Sequence, residues 1–224
     1  MNEQKTRQTF LIGTGLLFVL IIGGLVWAIA AGPSPDNANG RGREESGLHF
    51  SDEQDPVRGP SETKTVVRLF SDFQCPACRA AEPGLEAAMK KYADKVRFVW
   101  NDFPLTSIHP NALPAAQAAR CAEAQGKFWE YRQKLYETQD TWASLSTPTE
   151  QFVEIAKSVG VESDSFTTCL ADKTYDQKIR DDMSEGMANR VNSTPSLFIN
   201  NVRYTGAMSE AEWDAALSKN ESGS

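Results

Sequence analysis

The sequence predicts an α/β domain in which a βαβ half and a ββα half are separated by a helical insertion. Three patterns predict it: strand, helix and strand over residues 65–100, helical periodicity over about 111–187, and a hairpin with a closing helix over 196–217. Strand, helix and strand within so few residues is the signature of a parallel pair.

The first 62 of the 224 residues stand apart from that body. Residues 1–9 carry Lys5 and Arg7 ahead of an uncharged run over residues 10–31, FLIGTGLLFVLIIGGLVWAIAA. As a helix this run spans roughly 33 Å, enough for a bilayer core of about 30 Å. It reads as an uncleaved transmembrane anchor. The competing reading is a signal peptide cleaved after Ala28-Ile29-Ala30, but the apolar core of such peptides usually runs to about 7–15 residues. Basic residues before the span predict a cytoplasmic N-terminus and an extracytoplasmic domain, held in the cell membrane by a single pass. Residues 32–60 hold four prolines, five glycines and nine charged residues, with Phe50 the only aromatic. That composition predicts a flexible linker over 32–62, with a reach of roughly 30 Å.

The folded body, residues 63–222, opens on Thr65-Val66-Val67-Arg68-Leu69-Phe70, a β-branched and apolar run that reads as a buried strand. Residues 76–93 follow as a helix, because Leu85, Ala88, Met89 and Tyr92 recur at i, i+3, i+4 and i+7. Val96 to Trp100 is the second strand. The insertion over about 111–187 contains an alanine-rich helix around Ala115 to Ala122, continued by Phe128, Trp129, Leu135 and Tyr136. A helix through Phe152, Ile155 and Val159 ends at Gly160, and a further helix covers 173–189. Ser196 to Ile199 and Val202 to Tyr204 flank Asn200-Asn201, a two-residue turn that predicts a hairpin. Ser209 caps the closing helix, with Glu210 and Glu212 in its first turn. Trp100, Trp129, Trp142 and Trp213 read as core residues.

Composition narrows the chemistry. The net charge is −7, and Lys5 and Arg7 against Glu3 leave the chain beyond residue 31 at −8. An acidic body excludes a phosphate-tracking nucleic-acid binder. Two histidines, His49 and His109, are too few for a multi-histidine metal site, and His109, before Pro110, reads as a loop residue.

The chemistry sits in Ser71-Asp72-Phe73-Gln74-Cys75-Pro76-Ala77-Cys78, which joins the first strand to the first helix. Cys75 at the N-terminal edge of that helix faces free N–H groups and the positive end of the helix dipole, which lowers a thiol pKa. Pro76 falls at the first helical position, where a missing N–H costs little. Cys78, three residues on, lies on the same side of the turn. Cys75 is then the exposed attacking thiolate and Cys78 the resolving thiol behind it. Half a zinc site is the bland alternative, but a zinc site needs two more ligands, and Cys121 and Cys169 form no second close pair. A merely structural short-loop disulfide is the other. Asp72 stands as a possible proton carrier against the simpler reading of a solvated turn carboxylate.

The FSDFQCPAC run after a strand, the helical stretch and Ser193-Thr194-Pro195 before a hairpin resemble the DsbA-like branch of the thioredoxin superfamily. The resemblance covers about residues 64–218. It implies a thioredoxin fold with an inserted α-helical domain, and a protein thiol–disulfide oxidoreductase that works without a cofactor or metal. It implies that Pro195 is cis and, with Thr194, Pro76 and Ala77, shapes the substrate site against Cys75–Cys78. Its implied partners are exported proteins with cysteine thiols and a quinone-linked membrane reoxidase. A reductase or isomerase fed by a membrane reductant uses the same site, and a thioredoxin-fold binding module for unfolded exported chains belongs to a different class. The branch carries histidine where this chain has Ala77, which implies less thiolate stabilisation and a weaker oxidant. Cys121 and Cys169, both in the insertion, are expected to bridge in an oxidising compartment.

Overall fold

The computed structural model describes residues 42–51 and 54–221. The expected span at 10–31 lies outside the described residues. Among the described residues no helix is long and apolar enough to cross a membrane.

The expected βαβ unit is present. Strand β3 (Thr65–Ser71) leads into helix α1 (Pro76–Lys91) and on to strand β4 (Val96–Asp102). The two strands pair in parallel from Thr65↔Val96 to Ser71↔Asp102. The insertion follows as α2 (Ala112–Glu123), α3 (Phe128–Glu137), the short α4 (Gln139–Trp142), α5 (Thr149–Ser158), α6 (Ser163–Ala171) and α7 (Asp176–Ala188). The chain then returns to the sheet as β5 (Ser196–Ile199) and β6 (Val202–Thr205), and closes with α8 (Glu210–Glu221). Asn200 adopts φ 52° in the turn between β5 and β6, a left-handed conformation that Asn tolerates better than most residues. Ser209 caps α8: its backbone N–H and hydroxyl both donate to Glu212 Oε2 at 2.7 Å. β5 pairs antiparallel with β3 and with β6, so β3, which leads into α1, joins the two halves of the sheet.

The linker reading of 32–62 fails for its second part. Arg43–Glu44, which we call β1, pairs with β6, and Val57–Arg58, which we call β2, pairs with β4. The sheet therefore has six strands in the order β1-β6-β5-β3-β4-β2. Phe50 packs 5.1 Å from Phe198 and 6.1 Å from Phe70, closing a small core with Phe103 and Val191 on one sheet face. Asp55 is buried and accepts from Asn101 Nδ2 at 2.9 Å and from Lys178. A fully buried Arg120 joins the neighbouring carboxylates, reaching Asp102 at 2.6 Å and Asp182 at 2.7 Å. The segment before β3 is thus ordered by a few apolar and ionic contacts scattered among polar residues.

The main core lies between the other sheet face, α1, α8 and the insertion, and holds Trp100, Trp142 and Trp213. α1 meets the loop before α8 closely: a Cβ on Gly84 would stand 2.3 Å from the Met208 carbonyl oxygen. Cys121 and Cys169 form a disulfide between α2 and α6, with Cα atoms 5.9 Å apart, as expected.

Candidate active site

The CPAC motif occupies the expected junction. Cys75 is the N-cap residue of α1, with extended φ −72° and ψ 122°, and Pro76 takes the first helical position. The Cys75 carbonyl accepts the first helical bond from Arg79 N–H at 3.1 Å. Cys75 and Cys78 are both free thiols here.

Three parts of the chain hold this junction. Thr194–Pro195 is a cis peptide, and Cys75 Sγ donates to the Thr194 carbonyl at 3.5 Å. Gln139 of α4 donates its Nε2 to the carbonyls of Phe73 at 2.7 Å and Cys75 at 3.2 Å. Gln74 bridges the loop to the insertion, giving Nε2 to the Ala143 carbonyl at 2.7 Å and accepting from Asn111 N–H at 2.6 Å. The orphan polar groups of a tight strand-to-helix turn are thereby satisfied by side chains from far along the sequence.

The sequence reading missed two features of the junction. Asp72 is no solvated turn carboxylate: it is 1% exposed. It accepts from Gln74 N–H at 2.7 Å, Leu105 N–H at 2.9 Å and His109 Nδ1 at 2.7 Å. His109 is therefore a clamp on the active-site loop as well as a loop residue. Cys75 is also less open than expected, at 7% exposure, with Cys78 behind it at 1%.

The two thiols differ in acidity. Cys75 is lowered from the ordinary 9 to about 5. The Cys78 thiol contributes most; burial opposes it; the Thr194 hydroxyl and the N–H groups of Cys78 and Ala77 add to the lowering. Cys78 is pushed well above the ordinary range, first by burial and then by the bond to Cys75 and its charge. The pair thus holds one thiolate and one thiol over the whole neutral range. A thiolate attacks a disulfide and leaves from one, and a protonated thiol does neither. The geometry suits dithiol–disulfide exchange with Cys75 as the attacking sulfur. Among the described residues no group of three or more His, Cys, Asp or Glu side chains is placed to hold a metal ion.

Glu82, one turn beyond Cys78, is a further residue the sequence reading passed over. Arg132 Nη2 donates to its Oε1 at 2.7 Å, while Arg132 Nη1 donates to Glu86 Oε1 at 2.7 Å. Its spacing of four from Cys78 was readable as a shared helix face. Its burial depends on Arg132, fifty residues on, and was not.

The thioredoxin family model, Thioredoxin_4, matches residues 51–219, about three quarters of the chain. The chain belongs to the thioredoxin family. Its fold is that of the DsbA-like thiol–disulfide oxidoreductases. BdbD of Bacillus subtilis superposes with a TM-score of 0.69 at 19% identity, over 77% of this chain and 96% of that one. The thiol–disulfide exchange protein alpha-DsbA2 of Wolbachia pipientis gives 0.66 at 19% identity, over 77% and 89%. Among curated sequences, Na(+)/H(+) antiporter NhaA 3 of Salinispora tropica is 34% identical over 165 residues, 74% of this chain and 24% of that protein. The chain thus spans about a quarter of that relative's length, and the match transfers no antiport activity. In this chain the free thiols of Cys75 and Cys78 stand beside the cis Thr194–Pro195 bond, to whose Thr194 carbonyl Cys75 Sγ donates.

Proposed function

We propose that this thioredoxin-family oxidoreductase forms disulfides in exported proteins. A client thiolate attacks the Cys75–Cys78 disulfide at Cys75, giving a mixed disulfide and expelling Cys78. The client's second thiolate then attacks the client sulfur of that bond, leaving the client oxidised and Cys75 as thiolate. The carrying observation is the lowering of Cys75 to about 5 beside a protonated, buried Cys78. Stabilising the reduced thiolate makes the disulfide form a stronger oxidant, so acceptance of electrons is favoured. Pro76 and Ala77 start the helix whose N–H groups face Cys75, and Thr194 and Pro195 form the wall against which a client segment lies. When Cys75 is in a mixed disulfide it no longer donates to the Thr194 carbonyl, which is then open to an extended client backbone. Asp72, with its bonds taken by the loop, acts as a clamp and not as a proton carrier.

The reading extends to location and partners. Residues 10–31 anchor the chain in the cell membrane with this domain outside the cytoplasm, and a quinone-linked membrane protein reoxidises it. The Cys121–Cys169 bridge supports an oxidising compartment. A reductase or isomerase would need a reductant to keep Cys75 and Cys78 as thiols, and a pure binding module would not need two thiols of such different acidity.

Cys78→Ser in the full-length chain, expressed with its exported clients, tests this. Mixed disulfides through Cys75 are expected in the membrane fraction, on proteins that carry disulfides when mature. Absence of trapped clients would overturn the activity, and trapping in the soluble cytoplasmic fraction would overturn the location.

A further inference from the structure

Strand β3 alternates its faces. Val67 and Leu69 belong to the main core under α1, and Phe70 to the smaller one. Residues two apart share a sheet face, so Ser71 continues the row of Val67 and Leu69. It carries a hydroxyl onto the apolar side of the sheet, where Ser71 and Cys78 line the same small cavity. Ser71 is buried, and a buried hydroxyl is costly unless it is bonded.

Tyr136 of α3 supplies one bond. Its hydroxyl lies 2.9 Å from Ser71 Oγ and 3.3 Å from the Asp72 carbonyl, to which it can donate. Burial, followed by the charge of Cys78, pushes this phenol well above its ordinary range, so it stays protonated. The two hydroxyls own two hydrogens, and these can be aimed in two ways. In one, Tyr136 donates to the Asp72 carbonyl and Ser71 donates to Tyr136. In the other, Tyr136 donates to Ser71 Oγ, and the Ser71 hydrogen is free for another acceptor. Rotation about two C–O bonds separates these arrangements, and no heavy atom moves.

That acceptor is Cys78. Burial is the largest influence on this sulfur and favours the thiol, as do the bond to Cys75 and its charge. The Ser71 hydroxyl and the Asp72 N–H act the other way, each bonding to Cys78 and favouring its thiolate. Exchange requires that thiolate, because only a thiolate attacks a disulfide or leaves from one. Once Cys75 is bonded to a client, its charge is gone, and the two donors at the end of β3 meet the charge on Cys78. Donors fixed in advance cost no reorganisation as charge develops.

We propose that Ser71 is a catalytic residue whose hydroxyl, with the Asp72 N–H, holds the negative charge on Cys78 Sγ as that sulfur leaves or attacks, and that Tyr136 is the positioning residue that aims the hydroxyl. The proposal rests on the exchange reading of the dithiol. As a client thiolate bonds to Cys75 Sγ, the Cys75–Cys78 bond breaks and its electron pair goes to Cys78 Sγ. Tyr136 turns its hydrogen from the Asp72 carbonyl to Ser71 Oγ, and Ser71 turns its own to Cys78. The client's second thiolate then attacks the client sulfur, and the bond to Cys75 breaks with its pair left on Cys75. The two client thiols have lost two electrons and two protons. The dithiol has gained both electrons; one proton settles on Cys78 and the other passes to solvent. In the opposite direction Cys78 attacks Cys75 Sγ as a thiolate under the same two donors.

The test uses reduced full-length protein in detergent, mixed with a nitrobenzoate disulfide whose released thiolate absorbs visible light. The first release is bimolecular and reports attack by Cys75. The second is unimolecular and reports resolution by Cys78. Ser71→Ala removes a bond to a charged sulfur, which raises Cys78 by about one to two pKa units. The smaller thiolate fraction is partly offset by greater nucleophilicity, so the second release is expected to slow about 3- to 10-fold at neutral pH. The first release is expected to be unchanged. Reduction of the oxidised protein by excess glutathione is expected to slow as well, because Cys78 is then the leaving thiolate. Tyr136→Phe keeps the ring and is expected to slow the second release less than Ser71→Ala does. The double variant should resolve no more slowly than Ser71→Ala alone, since Tyr136 acts through Ser71. A second release in Ser71→Ala at the parent's rate overturns the proposal, and so does equal slowing of both releases, which marks a disturbed helix start. A further loss in the double variant overturns the part given to Tyr136. If Ser71→Ala does not fold, full-rate resolution in Tyr136→Phe overturns the proposal equally. Failure of the first release in the parent protein is a different result, and overturns the exchange reading itself.

Discussion

Thr194→Val tests how the acidity of Cys75 is built. The Thr194 hydroxyl is buried beside the dithiol, and its hydrogen bond is among the causes that lower Cys75, after the Cys78 thiol. Valine removes the donor at nearly constant shape and leaves the carbonyl that accepts from Cys75 Sγ in place. A hydrogen bond to a charged group contributes about 1.5–3 kcal/mol. At about 1.36 kcal/mol per pKa unit, its loss raises Cys75 by about one to two units. The thiol then titrates at roughly 6–7 instead of the parent's value of about 5. Because the reduced state loses that stabilisation, the disulfide becomes a weaker oxidant by about 30–50 mV near neutral pH, taking about 30 mV per 1.4 kcal/mol. The assay is the ultraviolet absorbance of the thiolate against pH, with the potential taken from equilibration against glutathione. Stability of the oxidised form should change little, since it has no Cys75 thiolate for that hydroxyl to stabilise. A titration curve that superimposes on the parent's would refute the assignment, and would leave Cys78 and the helix N–H groups as the whole source of the shift.

Two further outcomes follow from the same geometry. Removing the Cys121–Cys169 bridge by a double alanine substitution opens a loop with sequence separation 48. The chain-entropy model gives a loss of up to about 4 kcal/mol, or roughly 8–16 °C in Tm for a domain this size. Calorimetry checks it, with Cys75 alkylation expected to stay at the parent rate; an unchanged Tm would show that α2 and α6 hold without the bond. The second outcome is a pH dependence of the reduced form. Cys75 falls from 9 when unfolded to about 5 when folded, so its contribution is full above pH 9, shrinks below that and is gone below about 5. The Tm of the reduced protein, taken relative to the oxidised protein, should therefore fall as pH drops from 9 to 5. A difference that stays flat across that window counts against a thiolate at Cys75.

Much of the fold was legible because its signals are local. The β-branched run at 65–70, the period of Leu85, Ala88, Met89 and Tyr92, and the Asn200-Asn201 turn each encode their own element. Cys75 at a helix start was legible for the same reason, since Pro76 marks the first helical position. The segment before β3 was misread because composition averages over residues while order there rests on a few of them. Phe50 and Asp55 are single residues in a polar stretch, and their partners Phe198 and Lys178 lie more than 120 positions away. The grip of Gln139 on the Cys75 carbonyl and the clamp of His109 on Asp72 are equally non-local. The cis bond before Pro195 was reached through the family resemblance alone, since its local sequence carries no mark that separates it from other X–Pro bonds.

The resemblance leads one to expect histidine where this chain has Ala77, and the lowering of Cys75 is built from other groups. The thiolate at Cys75 draws on the Cys78 thiol, the Thr194 hydroxyl and the N–H groups at the start of α1. None of these needs a side chain at position 77, which contributes only its backbone. What they need is a fixed helix start, because an N–H group that wanders by an ångström no longer points at the sulfur. That fixity comes from the insertion and from the loop that leads into it. Gln139 ties the carbonyls of Phe73 and Cys75, Gln74 is bonded on both sides to residues 111 and 143, and Asp72 is bonded to Leu105 and His109. The helical domain between the two halves of the thioredoxin fold is therefore part of the active site. It holds the turn from which Cys75 takes its charge, and through Arg132 it holds the carboxylate behind Cys78.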